Sequence, residues 1–439
     1  MKLKLVSHAS VIATTGDAII WSDPWLFGRV FNESWSLLPD AYFKMEWLKD
    51  INYIWISHEH PDHFHIPTLK SFPEDFKERV TLLFQMNNSD KLPQALEKMG
   101  YRNIIRLPHA KRIQLTPKTA VWCYQVGHMD STLAILSEGE TILNLNDAEV
   151  NPYDCKLMAK KLGKIDVLLK QYSMAGYNGY QDHAKHLPIM AKSLLEKMVN
   201  IHVALQAKMT LPFASMIYFS TDDNKYMNQY ANSPRKVCHY FNGQGKGKEV
   251  VVLYPGDEYV VGKDYNSEPA LQKYEKKTQN LSNLSYTVSK VVPFDQLAAS
   301  FKRLYDTISK RYYKILLALF LKPLKIFVPD LETIFVFDIV RGKFYQYSEK
   351  DYDLAVLSQP LNFAMQFDWG FQTLGVSARH VVLHNAGNYR RHRILFALNN
   401  AEVWLKLHLL LKMKIFKWFL SRFNGLLFQI KSRLAIQKE

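Results

Sequence analysis

Between positions 58 and 63 the chain reads His-Glu-His-Pro-Asp-His, which places three imidazoles and the carboxylate of Asp62 within six residues. Alternate residues His58 and His60 can turn toward one metal ion, and the adjacent Asp62 and His63 toward a second. Mixed imidazole and carboxylate donors suit zinc, iron or manganese. The apolar run Tyr53-Ile54-Trp55-Ile56 comes shortly before, so a strand is expected to deliver this loop to the edge of a sheet.

One loop cannot supply all the ligands of a binuclear site, and the rest are expected at later strand ends. His128 follows the strand-like run Ala120–Val126 and is placed to complete a three-histidine face with His58 and His60, with Asp130 as its rival. Asp147 ends the run Thr141–Asn146, where a carboxylate can bridge both ions. The metal ligands are therefore expected to be His58, His60, Asp62, His63, His128 and Asp147, holding two divalent ions, with zinc first and iron or manganese as alternatives. Such a pair makes hydroxide available at neutral pH and polarises the bond under attack, so hydrolysis by a metal-bound hydroxide is the expected chemistry. Asp62 and Asp147 are the expected catalytic carboxylates.

The elements that must position these groups are short strands separated by turns. Strand-like runs cover Lys2–Val6, Ser10–Thr14, Ala18–Ser22, Tyr53–Ser57, Val80–Phe84, Ala120–Val126, Leu133–Leu136, Thr141–Leu145 and Val167–Lys170. Helical patterns fall at about Lys91–Lys98, Tyr153–Leu162 and Ala184–Ala204. Strand-rich halves with helices outside them predict a layered α/β sandwich. The composition turns polar near residues 263–285, giving a metal-binding domain over residues 1–265 and a smaller α/β domain over 266–385. In the second domain a helix is expected at about Pro293–Phe320, strands at Thr333–Val340 and Lys343–Tyr347, and a helix within Tyr352–Met365. Residues 386–439 read as a basic, amphipathic helical extension. The stretch Phe241–Lys248 lacks the order of a phosphate-binding loop and reads as a hairpin loop before a strand over Glu249–Tyr254.

The His-rich motif with its later histidine and aspartate resembles the metallo-β-lactamase superfamily. Lys4-Leu-Val-Ser-His-Ala-Ser-Val resembles that superfamily's first hairpin, and Ile19-Ile-Trp-Ser-Asp-Pro-Trp-Leu26 its Asp-Pro turn. The resemblance implies an αββα sandwich, with His8 and Asp23 near the site behind the ligands or as structural residues. A closer resemblance is to the branch of the CMP-N-acetylneuraminate hydroxylases. It rests on Asp23-Pro-Trp-Leu, Ile56-Ser-His-Glu-His-Pro-Asp-His-Phe, Leu145-Asn-Asp, Leu211-Pro-Phe-Ala-Ser-Met-Ile-Tyr-Phe-Ser and Phe367-Asp-Trp-Gly-Phe-Gln-Thr-Leu. This branch implies a second activity class, oxygenation by a di-iron centre. Those hydroxylases carry a Rieske cluster held by two Cys and two His. No Cys-x-His or Cys-x-x-His pair occurs here, so the oxygenase reading calls for a separate electron-donor protein. The strand that should supply a late histidine reads Pro212-Phe-Ala-Ser215, leaving His183, His186 and Asp222 as substitutes for the second ion. A third reading is a non-catalytic, metal-stabilised binding scaffold.

The 439 residues carry 56 basic and 41 acidic side chains, a formal charge of +15, which favours an anionic small-molecule substrate. The absence of a recognised DNA- or RNA-binding motif makes nucleic acid a minor alternative. Cys123, Cys155 and Cys238 form no Cys-x-x-Cys pair and read as reduced thiols of a cytoplasmic protein. The start of the chain is too soon polar for a secretory signal, and apolar runs such as Ile315–Leu321 are too short to span a bilayer. From Trp404 to Lys438 aromatic and basic residues interleave, which suits peripheral contact with an acidic membrane.

Overall fold

The computed structural model describes residues 1–86, 90–127, 129–383 and 386–406. It divides into two compact units. The first comprises Met1–Ala175, Leu187–Ser220 and Lys225–Tyr286; the second comprises Gly176–His186, Thr221–Asn224 and the chain from Thr287 onward.

Two sheets make up the first unit's frame. One has seven strands in the order Glu258–Val260, Lys2–Ser7, Ser10–Thr14, Ile19–Ser22, Tyr53–Ile56, Thr81–Gln85 and Asn103–Leu107. The first four run antiparallel to their neighbours, whereas Ile19–Ser22, Tyr53–Ile56, Thr81–Gln85 and Asn103–Leu107 pair in parallel. The other sheet has six strands in the order Ala207–Phe213, Ile165–Gln171, Glu140–Asn146, Asp130–Ser137, Thr119–Val126 and Lys111–Gln114.

Period-two alternation explains why these segments stack as a sandwich. Leu3 and Leu5, Val11 and Ala13, Val121 and Cys123, Leu133 and Ile135, and Val167 and Leu169 share one buried cluster between the sheets. The alternate residues face outward under helices. Ile54, Ile56, Leu82 and Phe84 pack with Leu69, Phe76 and Leu96, while Leu143, Leu145 and Leu168 pack with Cys155, Met158 and Leu205. Helix, sheet, sheet, helix is the expected layer order.

This topology fixes where a site can form. In open α/β sheets the crevice lies beyond the carboxyl ends of the strands. His8, Asp23, Ser57 and Asp147 each follow directly, or within one residue, the end of a strand in one sheet or the other.

In the second unit a five-stranded sheet orders Lys343–Tyr347, Thr333–Asp338, Leu324–Val328, Leu354–Ala355 and Val381–Val382. Helices Phe294–Arg311 and Ser358–Gln366 cover it, and Tyr389, Leu395 and Phe396 of helix Ala386–Asn400 enter the same core.

Local expectations need correction in three places. The helix expected over Pro293–Phe320 is two, Phe294–Arg311 and Lys314–Phe320, because the N–H groups of Leu405 and Lys406 reach the Arg311 carbonyl (3.2 Å each). The helix expected within Tyr352–Met365 is present as Ser358–Gln366, after Leu354–Ala355 joins the sheet beside Ile326 and Phe327. The expected hairpin loop Phe241–Lys248 instead ends helix Pro234–Gly243, which Ser233 caps and Val237 and Phe241 anchor. The expected strand after it makes only an isolated bridge, Val250 to Thr210. Of the extension, residues 407–439 lie outside the described residues.

Candidate metal centre

The loop after Tyr53–Ile56 closes tightly. The His60 carbonyl accepts from the N–H groups of His63 (3.0 Å) and Phe64 (2.7 Å), which turns Asp62 and His63 back toward the strand ends. His65 then caps the next helix, its Nδ1 accepting from the Thr68 N–H at 3.2 Å.

Asp23 is the hub that orders this turn. Its carboxylate is fully buried and accepts from the Ser57 N–H (2.8 Å), the Ser57 hydroxyl (2.7 Å), the Asn146 amide (3.0 Å) and His63 Nδ1 (2.9 Å). Holding Nδ1–H of His63 fixes the tautomer and presents Nε2 as a lone-pair donor, the carboxylate–histidine arrangement behind many metal ligands. Backbone strain serves the same end. Asp23 (φ 40°) and Asn146 (φ 59°) both adopt the left-handed conformation at strand ends, and the ladder slips between Asn144 and Asn146 just before Asp147.

The side chains so placed converge. His63 Nε2 lies 3.1 Å from Asp62 Oδ2 and 3.7 Å from Asp147 Oδ2, and His58 Nε2 lies 3.8 Å from Asp147 Oδ2. Two groups of donors each fall within 4.8 Å of one another: His58, His63 and Asp147, and His8, Asp62 and His63. His60 sits beside the first, its Nδ1 2.8 Å from His58 Nε2. Among the described residues His63 Nε2, Asp62 Oδ1 and Asp147 Oδ1 are buried without a hydrogen-bond partner. The 3.1 Å approach of His63 Nε2 to Asp62 Oδ2 is an ion pair without hydrogen-bond alignment, which leaves Nε2 unpaired. Buried polar atoms rarely go unpaired, and unpartnered atoms on His63, Asp62 and Asp147 fit ligands of a cation.

His8 belongs behind the ligands. Its Nδ1 accepts from the Met216 N–H at 3.2 Å, so the neutral ring carries its proton on Nε2, which faces Asp62 Oδ2 at 3.3 Å. A ring in that tautomer has no lone pair left for metal. Replacing His8 with alanine should weaken metal binding about 10–100-fold by freeing Asp62, as measured by competition with a chromophoric chelator. Unchanged affinity would mean Asp62 needs no such support.

The electrostatics are consistent with a cation site. Burial lowers the pKa of His58 and of His60, so both are neutral donors near neutral pH. Burial opposes ionisation of Asp62 and Asp147, but the neighbouring imidazoles outweigh it and hold both below the usual carboxylate value. Asp130, which opens the strand beyond residue 128, is pushed up to about 6 by burial and the Asp147 charge. Lys170, paired across the sheet with Asn146, donates to the Ala148 carbonyl at 2.8 Å, and burial brings it down to about 8.

Of the residues singled out by sequence, His58, His60, Asp62, His63 and Asp147 come together. His128 lies outside the described residues. His183, His186 and Asp222 fall in the second unit and in neither donor group. The strand end that lacks a late histidine is used structurally, with the Ser215 hydroxyl accepting from the N–H groups of Tyr172 and Ser173 (3.0 Å each). Sequence reasoning missed Ser57, Asn146 and Lys170, which orient or balance the ligands. Asn146 alone carried a signal, as an asparagine beside the bridging aspartate and tolerant of positive φ.

A protein of Mycolicibacterium smegmatis, named as a Rieske 2Fe-2S iron–sulfur protein, is 31% identical over 186 residues, 40% of this chain and 35% of its own length. The cytidine monophosphate-N-acetylneuraminic acid hydroxylase of Danio rerio is 25% identical over 255 residues, 54% of this chain and 42% of the hydroxylase. The chain thus spans well under two thirds of the curated relatives it matches. Among solved structures, the metallo-β-lactamase fold protein YhfI of Bacillus subtilis superposes with a TM-score of 0.40 at 15% identity, covering 59% of this chain and 99% of that one. No family model matches the chain. The chain is similar to a metallo-β-lactamase fold protein in structure and to proteins of the hydroxylase branch in sequence.

Proposed function

We propose that the first unit is a metal-dependent hydrolase holding two divalent ions, zinc first, and acting on a small anionic substrate. The observation that carries this reading is the approach of His58, His63 and Asp147 ligand atoms within 4.8 Å of one another, with Asp62 Oδ2 3.1 Å from His63 Nε2, among the described residues. His58 and His60, with His128 as the expected third imidazole, would hold one ion; Asp62 and His63 would hold the other, with Asp147 shared. When bound, such ions supply Lewis acidity and lower the pKa of water. The chain's own groups do the rest. Asp23 and His8 orient His63 and Asp62, the Lys170 ammonium offsets the carboxylate charge, and Asp130 can hold or release a proton near neutral pH. Hydrolysis needs no co-substrate beyond water.

A second reading, di-iron oxygenation with electrons from a separate donor protein, is favoured by the hydroxylase and Rieske names of the sequence relatives. The same donor set accepts iron. Metal analysis of protein purified without added metal, together with oxygen uptake on supplying reductant, separates the two. Zinc or manganese, with turnover of a phosphodiester or lactone that is lost in His60→Ala, is the expected result. Iron with reductant-dependent oxygen uptake would overturn the hydrolase in favour of the oxygenase. Bound metal with neither activity would leave a scaffold. No helix of the described residues is long and apolar enough to cross a membrane.

A further inference from the structure

We propose that the second unit docks on an anionic lipid surface through the exposed face of helix Lys314–Phe320. This face is unusual for a short helix in a globular unit. Leu317 is buried in the core, but Ile315 is 73% exposed, Leu319 72% and Phe320 63%. Ile315 and Leu319 are one turn apart and lie together on the side opposite Leu317. Ile315 and Leu319 together, with Phe320 exposed at the end of the helix, form the kind of patch that marks a contact surface.

The chemistry of the partner follows from what surrounds the patch. Between Lys302 and Lys325 seven basic residues stand against one acid, Asp306. Lys310 and Lys322 flank the helix in sequence, Lys314 opens it, all three are exposed, and exposed Arg391 donates to the Phe320 carbonyl at 3.2 Å. An apolar centre with a cationic collar is complementary to acyl chains beneath anionic headgroups. The collar equally disfavours a second copy of the same face, which would bring like charges together.

The way the chain continues supports the same partner. The Leu405 and Lys406 N–H groups bond the Arg311 carbonyl, Tyr312 donates to the Val403 carbonyl at 2.8 Å, and Arg311 stacks on Trp404 at 4.9 Å. The described chain therefore reaches Lys406 beside this helix. The segment after it, residues 407–439, carries seven Lys or Arg against the single Glu439, with Phe416, Trp418, Phe419 and Phe423 among them. Segment and helix face share a sign of charge, so each is better matched by an anionic surface than by the other.

Full-length protein should co-sediment with vesicles of phosphatidylcholine containing about one third phosphatidylserine and not with phosphatidylcholine alone. The double variant Ile315→Ser, Leu319→Ser keeps the net charge and alters only exposed side chains. It should lower the partition coefficient about tenfold or more, with an unchanged melting temperature. Equal binding of the variant, or loss of binding only on truncation after Lys406, would overturn the assignment to this helix. Equal partition into neutral vesicles would overturn the anionic partner. A wild-type dimer made monomeric by the double variant would replace the membrane with a second copy.

Discussion

Asp23→Ala should be the most damaging single substitution in the first unit, costing about 3–5 kcal/mol in the metal-free protein and lowering metal affinity about 10–100-fold. The carboxylate is fully buried and accepts from four donors. Removing it leaves the Ser57 N–H, the Ser57 hydroxyl, the Asn146 amide and His63 Nδ1 facing a void, each with a desolvation cost and no compensating bond. The His63 imidazolium also loses a counter-ion at 2.9 Å. Asp23→Asn keeps the shape but turns an amide N–H toward donors, so it should recover little of the loss. Urea denaturation of chelator-treated protein reads the stability, and titration against a competing chelator reads the metal. A loss below about 1 kcal/mol would mean that the four bonds do not act as a unit.

That Asp23 matters so much was hard to see in advance, because its role is wholly tertiary. His58, His60, Asp62 and His63 were legible because spacing within one loop decides which donors can meet. Asp147 was legible because a strand end directs it. Asp23 and His8 looked like turn residues, apart from what family resemblance implied. Their partners lie far off in sequence: Asp23 bonds Ser57 and Asn146, and His8 bonds Met216. Apolar alternation made the two-sheet frame readable, since each strand's faces sort into different buried clusters. The same logic failed at Arg311–Tyr313, where the sequence runs on as a good helix former. There the break comes from a returning segment that takes the Arg311 carbonyl, a contact without local signature.

The other large effect expected is a coupling between pH and metal that runs through His63. In the metal-free protein, burial opposes a charge on this ring, yet Asp62, Asp147 and Asp23 outweigh burial and hold its pKa well above the ordinary value of 6.5. A ligand must surrender its proton, so each ion bound through His63 Nε2 should release close to one proton below that raised value, and apparent affinity should climb about tenfold per pH unit there. His58 and His60, lowered by burial, add little to that release near neutrality. Stability without metal follows the opposite sense. A raised imidazole contributes fully below its unfolded value of 6.5 and loses that contribution as pH rises through the folded value. The lowered carboxylates Asp62 and Asp147 contribute above their unfolded value of 3.8 and lose it as pH falls through the folded one. The His63 contribution is therefore complete only below about pH 6.5 and that of the two carboxylates only above about pH 4, while His58 and His60, lowered by burial, cost stability as pH falls below 6.5. The rise in melting temperature on adding zinc should grow from about pH 6 to pH 8. Calorimetric titrations in buffers of different ionisation enthalpy count the released protons directly. A count near zero at pH 6.5 would show that the ring is already neutral, and that the three carboxylates do not set the charge of this site.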